Sequence, residues 1–245
     1  MLVIAIAKSK EKHMRNSLKY DKMLKISRKV GGRLKTRCYI AGAGEFNSHV
    51  LPQKCDFVIA ADAGYLELVS RDITPDLVVG DFDSLGDAPQ HPNVIHSPKE
   101  KDDTDVMLAV KQGFTHGFKE FIINGGLGGR LDHTLANIQI LVNISKKGGR
   151  GVLIGQEMCV TAVTDGTARF AQGASGYISI FSAGSKAEGV TLTGLKYPLD
   201  NATITCDYPI GVSNEFTGAP ASIEVRVGTL IIMWTGNLNT IEKSK

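Results

Sequence analysis

The stretch LVVGDFDSLGD, residues 77–87, places three carboxylates around a short turn that follows an apolar run. Asp81 and Asp83 are two residues apart, and in an extended chain such residues point to the same side, roughly 6.6 Å apart. Two like charges held in that way repel unless a proton or a cation neutralises them. The pattern therefore fits an ordinary solvated turn and also a device that holds a cation.

More acidic and glycine-rich turns follow other predicted strands. In open α/β sheets ligands bind beyond the carboxyl ends of the strands, so we expect these turns at one edge. Hard oxygen ligands gathered there favour Mg²⁺, which uses a few carboxylates, water and substrate phosphates. Each acid taken alone fits a helix cap or a turn equally well. The turns are GAGEF (42–46), ADAG (61–64) and GGLGGRLDH (125–133). The acidic helix start EKDDTD (100–105) joins them if it folds onto the same edge, and the acids expected near this rim are then Asp62, Asp81, Asp83, Asp103 and Asp105.

The glycine-rich loop GGLGGR, residues 125–130, matches no standard phosphate motif. It lacks the Lys-Ser/Thr ending of a P-loop, and GAGEF lacks the third glycine of the dinucleotide fingerprint. Glycine nevertheless lets backbone N–H groups approach a phosphate closely. Arg130 adds a planar fork of donors that suits phosphate oxygens.

The elements that must position these residues alternate between strand and helix patterns from Cys38 onward. Short apolar runs followed by Gly or Asp turns are typical of parallel strands buried on both faces. Segments 103–114 and 131–143 have apolar residues at helical spacing, the second beginning with Leu131 and Leu135. This alternation predicts an α/β fold with a mainly parallel, Rossmann-like sheet. The predicted strands are CYIA (38–41), FVIA (57–60), LVV (77–79) and EFIIN (120–124).

The pattern changes after the polar, glycine-rich stretch SKKGGRG (145–151), which we interpret as a possible linker. Beyond it, short runs rich in Thr, Val and Ile are separated by turn residues, which is typical of an antiparallel sandwich or barrel. We expect Trp234, which lies in one of these runs, to be part of the core. The predicted parts are a basic N-terminal extension (1–37), an α/β domain (38–150) and an all-β, sandwich-like domain (151–245).

Composition narrows the class of protein. The 245 residues are 42% hydrophobic and 22% charged, as in ordinary globular proteins, and no apolar run is long enough for a transmembrane helix. The four cysteines lie far apart and form no CxxC pair. Their spacing argues against a zinc site or a disulfide framework and favours a reducing, cytoplasmic location.

The charge is distributed unevenly. Residues 1–37 hold 12 of the 28 Lys and Arg but only two of the 25 acids, so the rest of the chain is acidic overall. Such a segment fits a targeting peptide, an arm for nucleic acid or membrane, or an extension without function. Because the remainder is acidic, we expect no nucleic-acid binding and no membrane association as the main function.

The ordered set of motifs resembles the thiamine pyrophosphokinase family. ADAG, GDFDS, KDDTD, GGLGGRLDHTLAN and GVSNEF (211–216) stand in the order of that family, and the resemblance covers roughly residues 38–240. It implies an α/β catalytic domain, a β-sandwich domain that binds thiamine, and a homodimer with sites at the subunit interface. It also implies ATP as co-substrate and Mg²⁺ as cofactor.

The resemblance assigns roles to individual positions. Asp81, Asp83 and Asp105 match catalytic, metal-binding acids. Asp62, Asp102, Thr104 and Arg130 match residues that contact the nucleotide. Asp132, Asn137, Ser213 and Asn214 match substrate-binding positions, although Asn137 by itself is equally compatible with packing.

The implied reaction moves the diphosphoryl group of ATP to thiamine and releases AMP. It needs positioning and charge neutralisation, which carboxylates with a metal and an arginine supply. Two alternatives stay open: a phosphatase that uses the strand-end Asp-x-Asp, and a regulator that binds nucleotide or thiamine without turnover.

Overall fold

The computed structural model describes residues 29–30, 33–83, 89–97 and 102–242 of the chain. Most of the predicted N-terminal extension lies outside the described residues, as do Ser84 and Lys101. At its described end, β1 (Lys29–Val30) and β2 (Arg33–Leu34) form a short antiparallel pair.

The first half contains six parallel strands with helices between them. Their order across the sheet is β8-β7-β3-β4-β5-β6, and every pairing among them is parallel, as the sequence predicts. Parallel strands covered on both faces must be apolar throughout, and β4 and β5 are buried at every position. The elements are β3 (Arg37–Ala41), β4 (Asp56–Ala61), α1 (Gly64–Val69), β5 (Leu77–Gly80), β6 (Val94–His96), α2 (Asp105–Thr115), β7 (Glu120–Asn124), α3 (Leu131–Lys146) and β8 (Arg150–Ile154).

Helix α3 buries a different stripe from the one its sequence suggests. Leu131 and Leu135 are 80% and 58% exposed, whereas Ile140, Leu141 and Ile144 are buried against the sheet. The buried apolar residues of the helix therefore lie in its later turns.

The second half is antiparallel and continues the same sheet. Strand β9 pairs with β8, and β14 pairs with β9 along nearly its whole length. The other edge of β14 pairs with β11 over one half and with β10 over the other. The pairing of β14 with β9 has a register shift between Val225 and Thr229. The elements are β9 (Met158–Phe170), β10 (Tyr177–Ser182), β11 (Lys186–Thr193), β12 (Leu199–Thr205), β13 (Asn214–Glu215), β14 (Ala221–Thr235) and a 3-10 helix (Leu238–Thr240).

The stretch 145–151, interpreted above as a possible linker, is the end of α3, a short turn and the start of β8. Gly148 has a left-handed φ of 69°, and the N–H of Gly149 donates to the carbonyl of Ile144, which closes the helix. The glycines therefore serve a helix terminus rather than a flexible connection. The proposed boundary between 150 and 151 falls inside β8, and the division into domains stays a prediction.

Two apolar clusters fill the core. One contains Tyr39, Phe170 and Trp234, which is 1% exposed, so the prediction that Trp234 is a core residue is confirmed. The other packs α2 and α3 against β3, β4 and β7 through residues such as Val110, Phe121 and Leu141. Among the described residues, no helix is both long and apolar enough to cross a membrane.

Candidate active site

Asp62 and residues 80–83 meet at the carboxyl ends of β4 and β5. The N–H of Asp62 donates to the carbonyl of Val79 at 2.8 Å. A Cβ built on Gly80 would lie 3.2 Å from the Cα of Asp62, so only glycine allows these two backbone segments to approach so closely without adjustment. The strand order thus brings acids 19 or more positions apart to one edge of the sheet.

Asp81 and Asp83 do not lie on an extended segment. Phe82 between them has a left-handed φ of 62°, and its ring is buried and contacts His96 edge-on at 5.4 Å. The chain turns there, and the N–H of Asp83 donates to Oδ1 of Asp81 at 3.3 Å. The expected side-by-side carboxylates are therefore replaced by a turn in which Asp81 is half-buried and Asp83 is exposed.

A cavity of about 630 Å³ opens at the same edge of the sheet. It brings together six of the predicted site residues, while Asp81, Asp83, Asp102, Ser213 and Asn214 are not among the residues that line it. The six are Asp62, Thr104, Asp105, Arg130, Asp132 and Asn137.

The start of α2 contributes Thr104 and Asp105. Thr104 has extended backbone angles, and its Oγ1 accepts the N–H of Met107 at 3.2 Å, so it is the N-cap of the helix. Asp105 follows in the first turn, where a negative charge is favourable. Asp103, which the sequence placed with the rim acids, forms an ion pair with Lys111.

Arg130 and Asp132 form an exposed pair at the start of α3. The guanidinium donates to both carboxylate oxygens of Asp132, at 3.2 and 2.6 Å. The Arg130 hydrogen bonds lower the pKa of Asp132, which keeps this carboxylate ionised. A guanidinium has five N–H donors, so Arg130 retains donors for a phosphate.

The remaining substrate candidates are held by other parts of the fold. Asn137 is buried, and its Nδ2 donates to the carbonyl of Gly126 at 2.8 Å, so it supports the glycine loop as well as lining the cavity. Asn214 accepts the N–H of Tyr197 at 3.0 Å and donates to the carbonyl of the same residue at 2.7 Å. The N–H of Ser213 donates to Ser179 Oγ at 3.1 Å.

The acids of the described residues offer the oxygen donors that a magnesium site needs, but their arrangement alone does not form one. Within the described ranges, no three His, Cys, Asp or Glu side chains come together as a metal cage. Mg²⁺ commonly takes one or two carboxylates and completes its shell with water and substrate phosphates. The hard oxygen donors around the cavity suit that kind of ion when nucleotide phosphates supply further ligands.

Two residues at the glycine-rich segments went unnoticed in the sequence. Glu45 accepts the N–H of Gly129 through Oε1 at 3.3 Å. Asn124, at the end of β7, is fully buried and hydrogen-bonded through its side chain. The signal for Asn124 is a polar residue that ends a fully apolar run.

Comparisons with known proteins find similarity to the same family in both halves of the chain. The family model "Thiamin pyrophosphokinase, catalytic domain" matches residues 49–153, and "Thiamin pyrophosphokinase, vitamin B1 binding domain" matches residues 169–230. The thiamine pyrophosphokinase of Bacillus subtilis (strain 168) is 30% identical over 182 residues, which are 71% of this chain and 85% of that protein.

Solved structures agree with this similarity. The crystal structure of thiamine pyrophosphokinase from Bacillus subtilis has a TM-score of 0.72 and 26% identity, covering 83% of this chain and all of that one. A thiamin pyrophosphokinase family protein from Enterococcus faecalis has a TM-score of 0.70 and 26% identity, covering 82% of this chain and all of that one.

Proposed function

This chain belongs to the thiamine pyrophosphokinase family, and from that premise we propose that it transfers the diphosphoryl group of ATP to the hydroxyl of thiamine. The hydroxyl oxygen attacks the β-phosphorus, and the bond from that phosphorus to the α,β-bridging oxygen breaks, so AMP leaves. The observation that carries the proposal is the single cavity lined by Asp62, Thr104, Asp105, Arg130 and Asp132.

We assign the nucleotide to the glycine-rich side of this cavity. Arg130 provides charged donors for phosphate oxygens, and the loop 125–129 offers backbone N–H groups. Asp62, Asp102 and Thr104 are proposed to border the phosphates.

We propose that Asp81, Asp83 and Asp105 would contribute ligands to Mg²⁺ when nucleotide phosphates and water complete its shell. The ion would neutralise charge on the phosphates, as in other phosphoryl transfers. The proton of the thiamine hydroxyl passes to Asp81, to Asp105 or to water. An acidic rim also attracts the permanent positive charge of the thiazolium.

We propose that Asp132, Asn137, Ser213 and Asn214 bind thiamine, and that two chains complete the site. Ser213 and Asn214 do not line the cavity of their own chain. Leu131 and Leu135 are exposed beside that cavity, where a second subunit can cover them. Both observations support a homodimer with sites at its interface.

We also propose that the protein is cytoplasmic. None of the four cysteines is paired, and Cys38 and Cys159 are buried. Unpaired buried thiols are compatible with a reducing compartment.

Product analysis with ATP, Mg²⁺ and thiamine tests the reaction. We expect AMP and thiamine diphosphate in equal amounts, whereas ADP as the sole nucleotide product would contradict the proposal. Release of phosphate from a monoester without an acceptor would support a phosphatase instead. Binding of ATP or thiamine without turnover at high enzyme concentration would support a regulator.

A further inference from the structure

We infer that Asn124 is a positioning residue that locks the glycine loop 125–129 to the segment 42–47 and so preorganises the nucleotide side of the cavity. The inference rests on the proposed function in one respect, the assignment of nucleotide to that side. Asn124 itself does not line the cavity, so it acts through the loop rather than on substrate.

The side chain of Asn124 is fully buried, and both its oxygen and its nitrogen have hydrogen-bond partners within the protein. It is 0% exposed and is the last residue of β7, directly before Gly125. Its Oδ1 accepts the N–H of Asn47 at 2.8 Å. Its Nδ2 lies 2.9 Å from Tyr39 Oη, 2.8 Å from the carbonyl of Asn47 and 3.0 Å from that of Val50.

Backbone contacts continue this junction toward the cavity. The N–H of Gly42 donates to the carbonyl of Asn124, and that of Gly44 donates to the carbonyl of Gly125, both at 2.7 Å. The N–H of Glu45 donates to the carbonyl of Leu127 at 3.2 Å. The two segments therefore run against each other with direct backbone contacts.

The approach is too close for side chains at the contact points. A Cβ on Gly42 or on Gly44 would lie 2.7 Å from the carbonyl oxygen of Gly125. Ala43 and Gly44 line the cavity together with Gly125 and Gly126. One wall of the cavity is thus built from two segments whose junction is anchored by Asn124.

The same junction reaches the second half of the chain. Asn47 Nδ2 donates to the carbonyl of Gly155 at 2.7 Å, and Gln156 Nε2 donates to the carbonyl of Phe46 at 2.9 Å. Gly155 and Gln156 lie in the turn between β8 and β9. The wall is thereby held from two sides, which favours one arrangement of the loop.

Replacement of Asn124 by Asp tests the role because it conserves shape. The new oxygen would face the carbonyls of Asn47 and Val50, which are acceptors only, and buried acceptors without donors are costly. We expect the dissociation constant for ATP with Mg²⁺, measured by calorimetry without thiamine, to rise about tenfold. Turnover at saturating ATP should fall less than kcat/KM for ATP.

Thr161→Val is the matched control. Thr161 is 1% exposed, and its Oγ1 donates to the carbonyl of Gly151 at 2.7 Å, so the variant also loses a buried side-chain hydrogen bond. It does not line the nucleotide cavity. We expect a comparable loss of Tm with ATP affinity unchanged, whereas equal loss of affinity in both variants would assign Asn124 a merely structural role.

Hydrogen exchange supplies a readout independent of catalysis. We expect faster exchange in peptides covering 42–47 and 125–130 of Asn124→Asp, with β9 and β14 unchanged. A folded variant that keeps its exchange pattern and its ATP affinity overturns the inference. If Asn124→Asp does not fold, Tyr39→Phe, which removes one partner of Nδ2, should weaken ATP binding about threefold, and unchanged binding overturns the inference.

The outcomes separate this inference from the reaction itself. Wild-type protein that binds ATP without forming AMP, together with weakened binding in the variant, rejects the reaction and keeps the positioning role. Wild-type protein that forms AMP and thiamine diphosphate, together with unchanged binding and exchange in the variant, keeps the reaction and rejects the positioning role. If wild-type protein does not bind ATP, the proposed function fails, and hydrogen exchange still tests the positioning role.

Discussion

At the scale of single residues, Asp81 and Asp83 show how a local turn changes the meaning of a motif. Their spacing suggests parallel carboxylates, but Phe82 between them has a left-handed φ, and its buried ring contacts His96 edge-on. Asp83 is left exposed, with its N–H bonded to Asp81. An exposed carboxylate at a strand end can be substituted at little cost to folding.

Asp83→Asn tests this point. We expect turnover at limiting Mg²⁺ to fall at least about tenfold because a neutral amide is a weaker ligand, while the free energy of unfolding changes by less than about 0.5 kcal/mol. Steady-state kinetics over a Mg²⁺ series and urea unfolding measure the two effects. Asp200→Asn, an exposed position on β12, is the control and should alter neither. Unchanged activity of Asp83→Asn at limiting Mg²⁺ would show that the metal assignment is wrong.

At the scale of elements, the site is assembled from strand ends and helix starts. The carboxyl ends of β4 and β5, the turn after β7 and the first turns of α2 and α3 all face one edge. Parallel order makes this possible because every strand ends on the same side. The N-cap residue of α2, Thr104, lies at this edge, and its contribution to stability can be tested by substitution.

Thr104→Ala removes that cap. Because Met107 then loses its side-chain acceptor, we expect stability to fall by about 1 kcal/mol. Thr104→Ser keeps the hydroxyl and should retain most of the stability that Thr104→Ala loses. Thermal unfolding compares the three proteins, and equal stability of the Ala and Ser variants would show that the cap contributes nothing.

At the scale of the whole molecule, the two halves are joined by hydrogen-bonded strands rather than by a flexible connection. Strand β8 pairs with β7 on one edge and with β9 on the other. Asn214 is committed to Tyr197 within the second half and lies away from the lining of its own cavity. The proposal that the site uses residues of both halves therefore includes a second chain.

Mixing two variants of low activity, assayed at limiting Mg²⁺, tests the shared site. Asp83→Asn and Asn214→Ala, co-expressed in equal amounts, form heterodimers in which one of two sites is intact if each site uses both chains. We expect about a quarter of wild-type activity to return. Circular dichroism confirms that each variant is folded, and light scattering confirms two chains per particle. Activity that stays at background would place the whole site within one chain.

The sequence by itself determined the features that neighbouring residues encode. Apolar runs predicted β4, β5 and β7, the acidic start predicted α2 within two residues, and the ordered motifs identified the family. These features depend on periodicity, capping and short spacing, which lie within a few positions of the chain.

The tertiary structure alone decided which distant residues meet. Asn124 bonds Asn47 across 77 positions, because β3 and β7 are neighbours in the sheet although they are far apart in the chain. Leu131 and Leu135 are exposed whereas later residues of α3 are buried, and the stretch 145–151 leads from α3 into β8, which pairs with β7. Strand order sets these contacts, and no local pattern of residues specifies it.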